Sequence, residues 1–160
     1  MIKENIYDFF NDTLRIGPFL GIDLGEKRVG LSISDRTQSI ASNYATIEKK
    51  KFSLFSLDLQ AIIDKEIICG IVIGLPLNMD GSEGPKCQST RHFAKNFSTI
   101  VNLPITFWDE RLTTVAAERS LLSADLSRKK RKRVVDSVAA VLILQNLLDR
   151  LKYIQHKNTQ

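Results

Sequence analysis

Apolar and polar residues alternate in three segments near the start of the chain, and this alternation predicts three antiparallel strands. The segments are FLGIDLG from Phe19, RVGLSISD from Arg28 and SIASNYATI from Ser39. Turn-type residues separate them, and the first tight turn is predicted at Gly25 to Lys27. The chain is therefore expected to open its folded domain with a β-meander.

A helix and a buried strand are predicted next. Phe52, Phe55, Leu59 and Ile62 or Ile63 recur at helical spacing. The run ICGIVIG, residues 68–74, is continuous and β-branched, which is typical of a central strand buried on both faces.

The second half of the chain predicts a loop, further helices and one more strand. LPLNMDGSEGPK, residues 75–86, is rich in Gly, Pro, Asn and Asp and is expected to be a loop. Helices are predicted at about 87–99, 113–123 and 134–153, and PITFWDE at 104–110 is predicted to be a strand. The order βββαβαβαα indicates an α/β fold whose mixed five-stranded sheet has three antiparallel strands followed by parallel ones, flanked by helices.

The length of 160 residues is typical of one domain. Residues 1–17 are interpreted as an N-terminal extension with a weak helical period, 18–153 as the domain and 154–160 as a tail. No window approaches the roughly 18 apolar residues of a membrane span, so neither a signal peptide nor an anchor is expected. Cys69 and Cys87 lack CxxC spacing and a histidine cluster, so we expect free thiols in the cytoplasm rather than a zinc site or disulfide.

The positive charge of the chain is concentrated in one segment. Net charge is +5, and removing the six consecutive cations at 128–133 leaves 17 basic against 18 acidic residues, or −1. A smaller cluster is Lys49 to Lys51. Such runs are commonly solvated loops or localisation tracts. The long run, however, ends just before an apolar helix that begins with an aspartate, a position that also suits binding of an anionic partner.

Acidic residues occur where strands and a helix begin or end. Asp23 lies inside an apolar strand, where a carboxylate loses hydration and needs a metal ion or turn amides as partners. Asp109 and Glu110 are adjacent and should point to opposite faces, so one of them can share a site with Asp23 and the other can pair with Arg111. Asp136 begins the last helix, where it could also simply complement the helix dipole. Three such carboxylates would make an oxygen-rich site suited to magnesium.

Other classes of site fit the sequence less well. The glycines at 21, 25 and 30 do not have GxGxxG spacing, and antiparallel strands follow, which argues against a Rossmann fold. His92 is predicted in mid-helix and His156 in the tail, which disfavours a Ser-His-Asp triad. DLGxxxxG also begins actin-like ATPases, but those proteins need two such domains and a second phosphate loop, for which 160 residues are too few.

Four segments together resemble a known family. They are GIDLGEKRVGLSISD at 21–35, GLPLNMDGSEGP at 74–85, DERLTT at 109–114 and SRKKRKRVVDSVAAVLILQ at 127–145. In order and spacing they look like the signature blocks of the YqgF-type family of Holliday junction resolvase-like proteins, also described as pre-16S rRNA nucleases. The resemblance covers about residues 18–152. It implies a ribonuclease H-like fold and hydrolysis of phosphodiesters in structured nucleic acid.

The resemblance also implies a set of catalytic metal ligands. By position these are Asp23, Glu110 and Asp136, with Asp109 kept as a reserve ligand. The implied cofactor is Mg²⁺, with Mn²⁺ as a substitute. Our hypothesis is a two-metal mechanism with ions roughly 4 Å apart, in which Asp23 bridges both ions and the other two acids each complete one coordination sphere.

Nucleic-acid contacts are expected from residues near these acids. Lys27, Arg28 and Arg111 would meet phosphates. Ser82 and the amides of its loop would fold over substrate, unless the loop is a rigid stack of turns. Binding of backbone phosphates without sequence readout, and therefore sensitive to salt, is expected from Arg128, Lys129, Lys130, Arg131, Lys132 and Arg133.

The expected partner is nucleic acid, with no membrane, and the protein would act as a monomer or homodimer. Maturation of the 5′ end of precursor 16S rRNA is the first expectation. The alternatives are resolution of Holliday junctions in DNA and a non-catalytic RNA-binding module in ribosome assembly.

Overall fold

A computed structural model describes residues 1–13, 17–112 and 128–159, with the backbone alone for residues 128–137. Its centre is a six-stranded sheet in the order β1-β6-β5-β2-β3-β4. Strands β2, β3 and β4 are antiparallel neighbours, whereas β5, β6 and β1 continue the sheet parallel to β2. The strands are β1 Ile2–Lys3, β2 Phe19–Leu24, β3 Arg28–Ser34, β4 Ala41–Glu48, β5 Gly70–Leu75 and β6 Ile105–Asp109.

Helices cover both faces of the sheet. The described helices are α1 Ile6–Asp12, α2 Phe52–Glu66, α3 Pro85–Ser98 and α4 Arg128–Asn158, and a 3₁₀ turn spans Glu110–Leu112. The alternation of β2 separates two cores, because Leu20 packs into a cluster with side chains of α2 and α3 while Phe19 packs into a cluster with side chains of α4. None of the described helices is both long and apolar enough to cross a membrane.

Most predicted elements are present, with differences at their ends. α3 begins at Pro85 rather than 87, because proline suits the first position of a helix, where its missing N–H is not needed. α4 begins at Arg128 rather than 134 and ends at Asn158 rather than 153. Its first turns contain the basic run, whose Lys and Arg residues are good helix formers without apolar periodicity. The helix predicted at 113–123 lies outside the described residues.

The sheet has six strands instead of the predicted five, since the N-terminal segment adds one. β1 pairs with β6 through two residues, which is too short for an alternation to be recognised. Asn5 caps α1 through its side chain, and Phe9 of α1 is fully buried against the ring of Phe19, 5.5 Å away. The extension therefore packs on the domain, while the divisions after residues 17 and 153 stay predictions.

Candidate active site

An open cleft lies at the carboxyl ends of β2, β5 and β6. These strands are parallel, so their ends meet at one edge of the sheet, the usual place for ligands in α/β folds. The cleft has a volume of about 630 Å³, within the range of roughly 300–1,000 Å³ typical of ligand pockets. Asp23 and Glu110 both line it, and we call this part the acidic end.

Asp23 is placed by the alternation of β2. A Cβ built on Gly21 would lie 2.9 Å from the Cβ of Leu144, so Gly21 faces α4. Asp23 follows two residues later on the same face of the strand. Its side chain is buried, with the residue 5% exposed, at the last position but one of the strand.

Glu110 reaches the same face because Gly74 has no side chain. Ile22 of β2 pairs with Ile73 of the parallel strand β5, so the next residues along the two strands, Asp23 and Gly74, lie side by side. The Oε1 atom of Glu110 lies 2.7 Å from the place that a Cβ on Gly74 would occupy. The Glu110 carboxylate therefore lies over the backbone of β5, on the side of the sheet where Asp23 is found.

Asp109 points elsewhere and forms an ion pair. Its carboxylate accepts hydrogen bonds from the backbone N–H of Arg111 at 2.9 Å, from Nε at 3.1 Å and from Nη2 at 2.8 Å. The hydrogen bonds from Arg111 lower the pKa of Asp109. Nη1 of Arg111 also donates to the carbonyl of Met79 at 3.3 Å. The pair thus links the end of β6 to the β5–α3 loop, residues 76–84.

The β5–α3 loop is held by its own polar groups. Ser82 donates to Oδ1 of Asp80 from its backbone N–H at 2.9 Å and from its hydroxyl at 2.6 Å, and Nδ2 of Asn78 donates to the Ser82 hydroxyl at 2.9 Å. The bonds from Ser82 lower the pKa of Asp80. Gly81 has φ +89°, which favours glycine. The Ser82 side chain is thus engaged within the loop, as a rigid stack of turns would require.

The cleft is also lined by cations and aromatic rings that were not among the predicted site residues. We call Lys49, Lys50, Phe52, Lys86 and Phe93 the basic-aromatic end. The lysine cluster is visible in the sequence, but only the fold brings it opposite α3, which supplies two of the five residues. His92 also lines the cleft, where its Nε2 lies 3.1 Å from Nδ2 of Asn96.

The other residues predicted to contact phosphates do not line this cleft or have side chains outside the described residues. Lys27 is exposed in the β2–β3 turn, and neither it nor Arg28 lines the cleft. Arg28 is half-buried, and its Nη1 is a buried atom with no hydrogen-bond partner among the described residues. The side chains of Asp136 and of residues 128–133 lie outside the described residues, although their backbone belongs to α4. Within the described part of the chain there is no cluster of three or more His, Cys, Asp or Glu residues that could hold a metal ion.

Comparison with known protein families shows the family to which this chain is related. Residues 17–150 match the family described as "RuvX: Holliday junction resolvase". The chain belongs to the RuvX family. The family resemblance expected from the four sequence segments is therefore confirmed.

Relatives of this RuvX protein are similar over nearly their whole length. A protein of Ruegeria pomeroyi named "Putative pre-16S rRNA nuclease" is 52% identical over 152 residues, covering 95% of this chain and 99% of its own. A protein of Rhodobacter capsulatus with the same name is 53% identical over 154 residues, covering 96% and 97%.

Similarity to solved structures confirms the fold. Thermus thermophilus RuvC in complex with a Holliday junction substrate superposes with a TM-score of 0.54 at 10% identity, covering 84% of this chain and 96% of RuvC. At that identity the likeness concerns the fold alone. The predicted ribonuclease H-like α/β fold is confirmed.

Proposed function

We propose that this RuvX-family protein is a metal-dependent nuclease that hydrolyses phosphodiester bonds, with the 5′ end of precursor 16S rRNA as its main substrate. The observation that carries the proposal is the pair of carboxylates, Asp23 and Glu110, in one cleft at the carboxyl ends of the parallel strands. Burying Asp23 in an apolar strand costs free energy unless cations or hydrogen bonds compensate. The names of the relatives that are more than 50% identical support the choice of rRNA.

Magnesium fits the donor set at the acidic end. Mg²⁺ prefers oxygen ligands and is commonly held by one or two carboxylates, water and substrate phosphates. Gly74 leaves room for the Glu110 carboxylate to approach from β6 toward the strand of Asp23. When bound, the metal would supply Lewis-acid stabilisation of the phosphate and acidify a water molecule. Asp23 and Glu110 would orient it, with Mn²⁺ able to replace Mg²⁺.

The register of α4 supports Asp136 as the third ligand. The carbonyl of Ala140 accepts a 2.6 Å hydrogen bond from the Ser32 hydroxyl, so this part of α4 lies directly on the sheet. Residue 136 precedes Ala140 by four positions, one turn earlier on the same helical face. The six cations at 128–133 precede it on the same helix and would hold phosphates next to the acids.

Holliday junction resolution is the second candidate, favoured by the description of the matching family. Both substrates present phosphodiesters to the same acids, so the reaction would be shared and the substrate would differ. The two cysteines, Cys69 and Cys87, are free thiols, which supports a reducing cytoplasm as the location. Oligomeric state, monomer or homodimer, would follow the substrate, since a dimer suits symmetric cutting of a junction.

The test is cleavage by purified protein with Mg²⁺, using precursor 16S rRNA and a four-way DNA junction at matched concentrations. We expect cleavage of the rRNA, loss of cleavage on chelation, and restoration by Mg²⁺ or Mn²⁺. Asp23→Asn should reduce cleavage by at least about 100-fold, because several kcal/mol of transition-state stabilisation depend on the metal. Binding should be largely retained.

Other outcomes would overturn parts of the proposal. Cleavage of the junction alone would select the second candidate. Undiminished cleavage by Asp23→Asn would refute the role of the acidic end. Specific binding of rRNA without cleavage of either substrate would indicate the non-catalytic ribosome-assembly module.

A further inference from the structure

Two aromatic rings form part of the lining of the same cleft. Phe52 is the first residue of α2 and is 36% exposed, and Phe93 of α3 is half-buried. Their rings meet edge to face, with centroids 5.9 Å apart. Beneath them, Phe93 stacks on Phe97 at 5.5 Å and contacts Phe55 at 5.4 Å. The core therefore supports a partly exposed aromatic surface within the cleft.

Three lysines line the same cleft, and their ammonium groups are weakly held. Nζ of Lys49 donates to the Gly25 carbonyl at 3.4 Å, Nζ of Lys50 is 3.4 Å from Asp58, and Nζ of Lys86 is 3.6 Å from Glu26. The two ion pairs are exposed, and such pairs contribute little stability. The ammonium groups can therefore exchange these partners for phosphate oxygens.

We propose that Phe52 and Phe93 form a subsite for one unpaired nucleobase, with Lys49, Lys50 and Lys86 binding the adjoining phosphates. Aromatic stacking surfaces beside cationic groups are how proteins bind single strands without strong sequence preference. A base inside a duplex is covered on both faces by its neighbours and has no free face for Phe52. The acidic end would thus act on a strand that is single-stranded next to the reacting phosphate.

Polar groups beside the rings would contact the edge of the base. His92 and Asn96 lie one helical turn apart on α3, line the same cleft and contact each other at 3.1 Å. Imidazole and amide groups each offer donors and acceptors. The placement of the strand relative to Asp23 rests on the proposed function, whereas stacking of the base on Phe52 does not.

The test measures binding to single strands that contain 2-aminopurine, whose fluorescence falls on stacking. The protein carries Asp23→Asn so that Mg²⁺ can be present without cleavage, and the probes are a ribo- and a deoxyribo-oligonucleotide. We expect quenching on binding and about a tenfold loss of affinity for Phe52→Leu, which keeps an apolar side chain but removes the ring. Phe52→Tyr should restore both readouts. Affinity for a duplex of the same sequence should change less than twofold.

A measurement without any change at Phe52 guards against misfolding of the variants. An oligonucleotide with an abasic site at the 2-aminopurine position should bind the protein that keeps Phe52 with about tenfold lower affinity, the same loss as expected for Phe52→Leu. With this abasic oligonucleotide, Phe52→Leu should cause no further loss of affinity. Quenching of 2-aminopurine and a loss of affinity on Phe52→Leu, with either oligonucleotide, support the subsite. The subsite is overturned if neither oligonucleotide shows both effects, or if Phe52→Leu lowers the affinity for single strand and duplex equally.

The two proposals fail in distinguishable ways. A native chain that does not cleave rRNA or junction DNA refutes the nuclease, while the stacking signal reports on the subsite alone. Cleavage that depends on Asp23 without any stacking on Phe52 would keep the nuclease and remove the subsite.

Discussion

The acidic end and the basic-aromatic end of the cleft are built in opposite ways. Asp23 is buried at the end of a strand, and Glu110 is seated over Gly74, a position that no other residue type could occupy without displacing a neighbour. Lys50 and Lys86 instead are exposed and form exposed ion pairs at 3.4 Å and 3.6 Å. Groups that act on a reacting phosphate need a fixed geometry, whereas groups that hold a flexible strand do not. The comparison therefore predicts that the two ends respond differently to substitution.

The largest expected effect is a difference in cleavage rate between substitutions of the neighbouring acids Glu110 and Asp109. Glu110→Gln should lower Mg²⁺-dependent cleavage by at least about 100-fold, since it removes the charge of a proposed metal ligand at the acidic end. Asp109→Asn should cost less than about tenfold, because Asp109 binds Arg111 and does not line the cleft. Initial rates at saturating substrate measure both. If Asp109→Asn lowered the cleavage rate more than Glu110→Gln, Asp109 rather than Glu110 would be the proposed metal ligand.

The second prediction concerns the glycine beneath Glu110. A Cβ on Gly74 would collide with Ile143 and come within 2.7 Å of Oε1 of Glu110. Gly74→Ala should therefore lower both the free energy of unfolding, by about 1–3 kcal/mol, and the cleavage rate. Denaturant unfolding and cleavage assays on the same preparation measure the two effects.

Gly21→Ala is the matched control on the same sheet face. Its Cβ would collide with Ser32 and lie 2.9 Å from the Cβ of Leu144, but neither acid is among its nearest neighbours. It should destabilise the fold by a similar amount with a smaller loss of cleavage. Equal losses of cleavage would mean that crowding against α4, rather than displacement of Glu110, explains the Gly74 variant.

These differences also explain what could be predicted from the sequence. Alternation identified β2, and a carboxylate within an otherwise apolar strand marked Asp23 as unusual. The rule that adjacent strand residues point to opposite faces limited the choice to Asp109 or Glu110. Deciding between them needed the register of β5 and the empty space above Gly74, which depend on long-range pairing. The sixth strand was missed because two residues have no detectable period.

The basic-aromatic end could not be recognised from the sequence for a different reason. Phe52 and Phe93 recur at the spacing of core residues, and their partial exposure appears only when α2 and α3 lie side by side. Lys86 is 36 residues from Lys50, so no local pattern joins them. Sites made of ordinary exposed residues depend on topology, whereas sites that break a local pattern can be noticed beforehand.

The third prediction tests the lysines of the basic-aromatic end. Lys50→Gln and Lys86→Gln should each lower the slope of log affinity against log salt concentration by about 0.7 to 0.9, the value for one phosphate contact. Affinity at low salt should fall only a few-fold, and cleavage at saturating substrate should change little. Titrations of a single-stranded oligonucleotide between about 50 and 200 mM salt measure the slope. Lys95→Gln is the control, because Lys95 is an exposed lysine of α3 outside the cleft.

The smallest expected effect concerns the charge of Asp109, which lies outside the acidic end. Hydrogen bonds from Arg111 lower its pKa below the ordinary value of 3.8, so the ionised form stabilises the fold above that pH and the contribution is lost as the pH falls through the folded-state pKa. Asp109→Asn should therefore cost up to about 1 kcal/mol at pH 7 and progressively less at acid pH. Urea unfolding at several pH values measures the difference, and Arg111→Gln should remove it at pH 7. If Asp109→Asn still lowers the free energy of unfolding at low pH, or in a chain that carries Arg111→Gln, Asp109 acts through another partner. A direct test of metal binding would then decide whether Asp109 belongs to the acidic end.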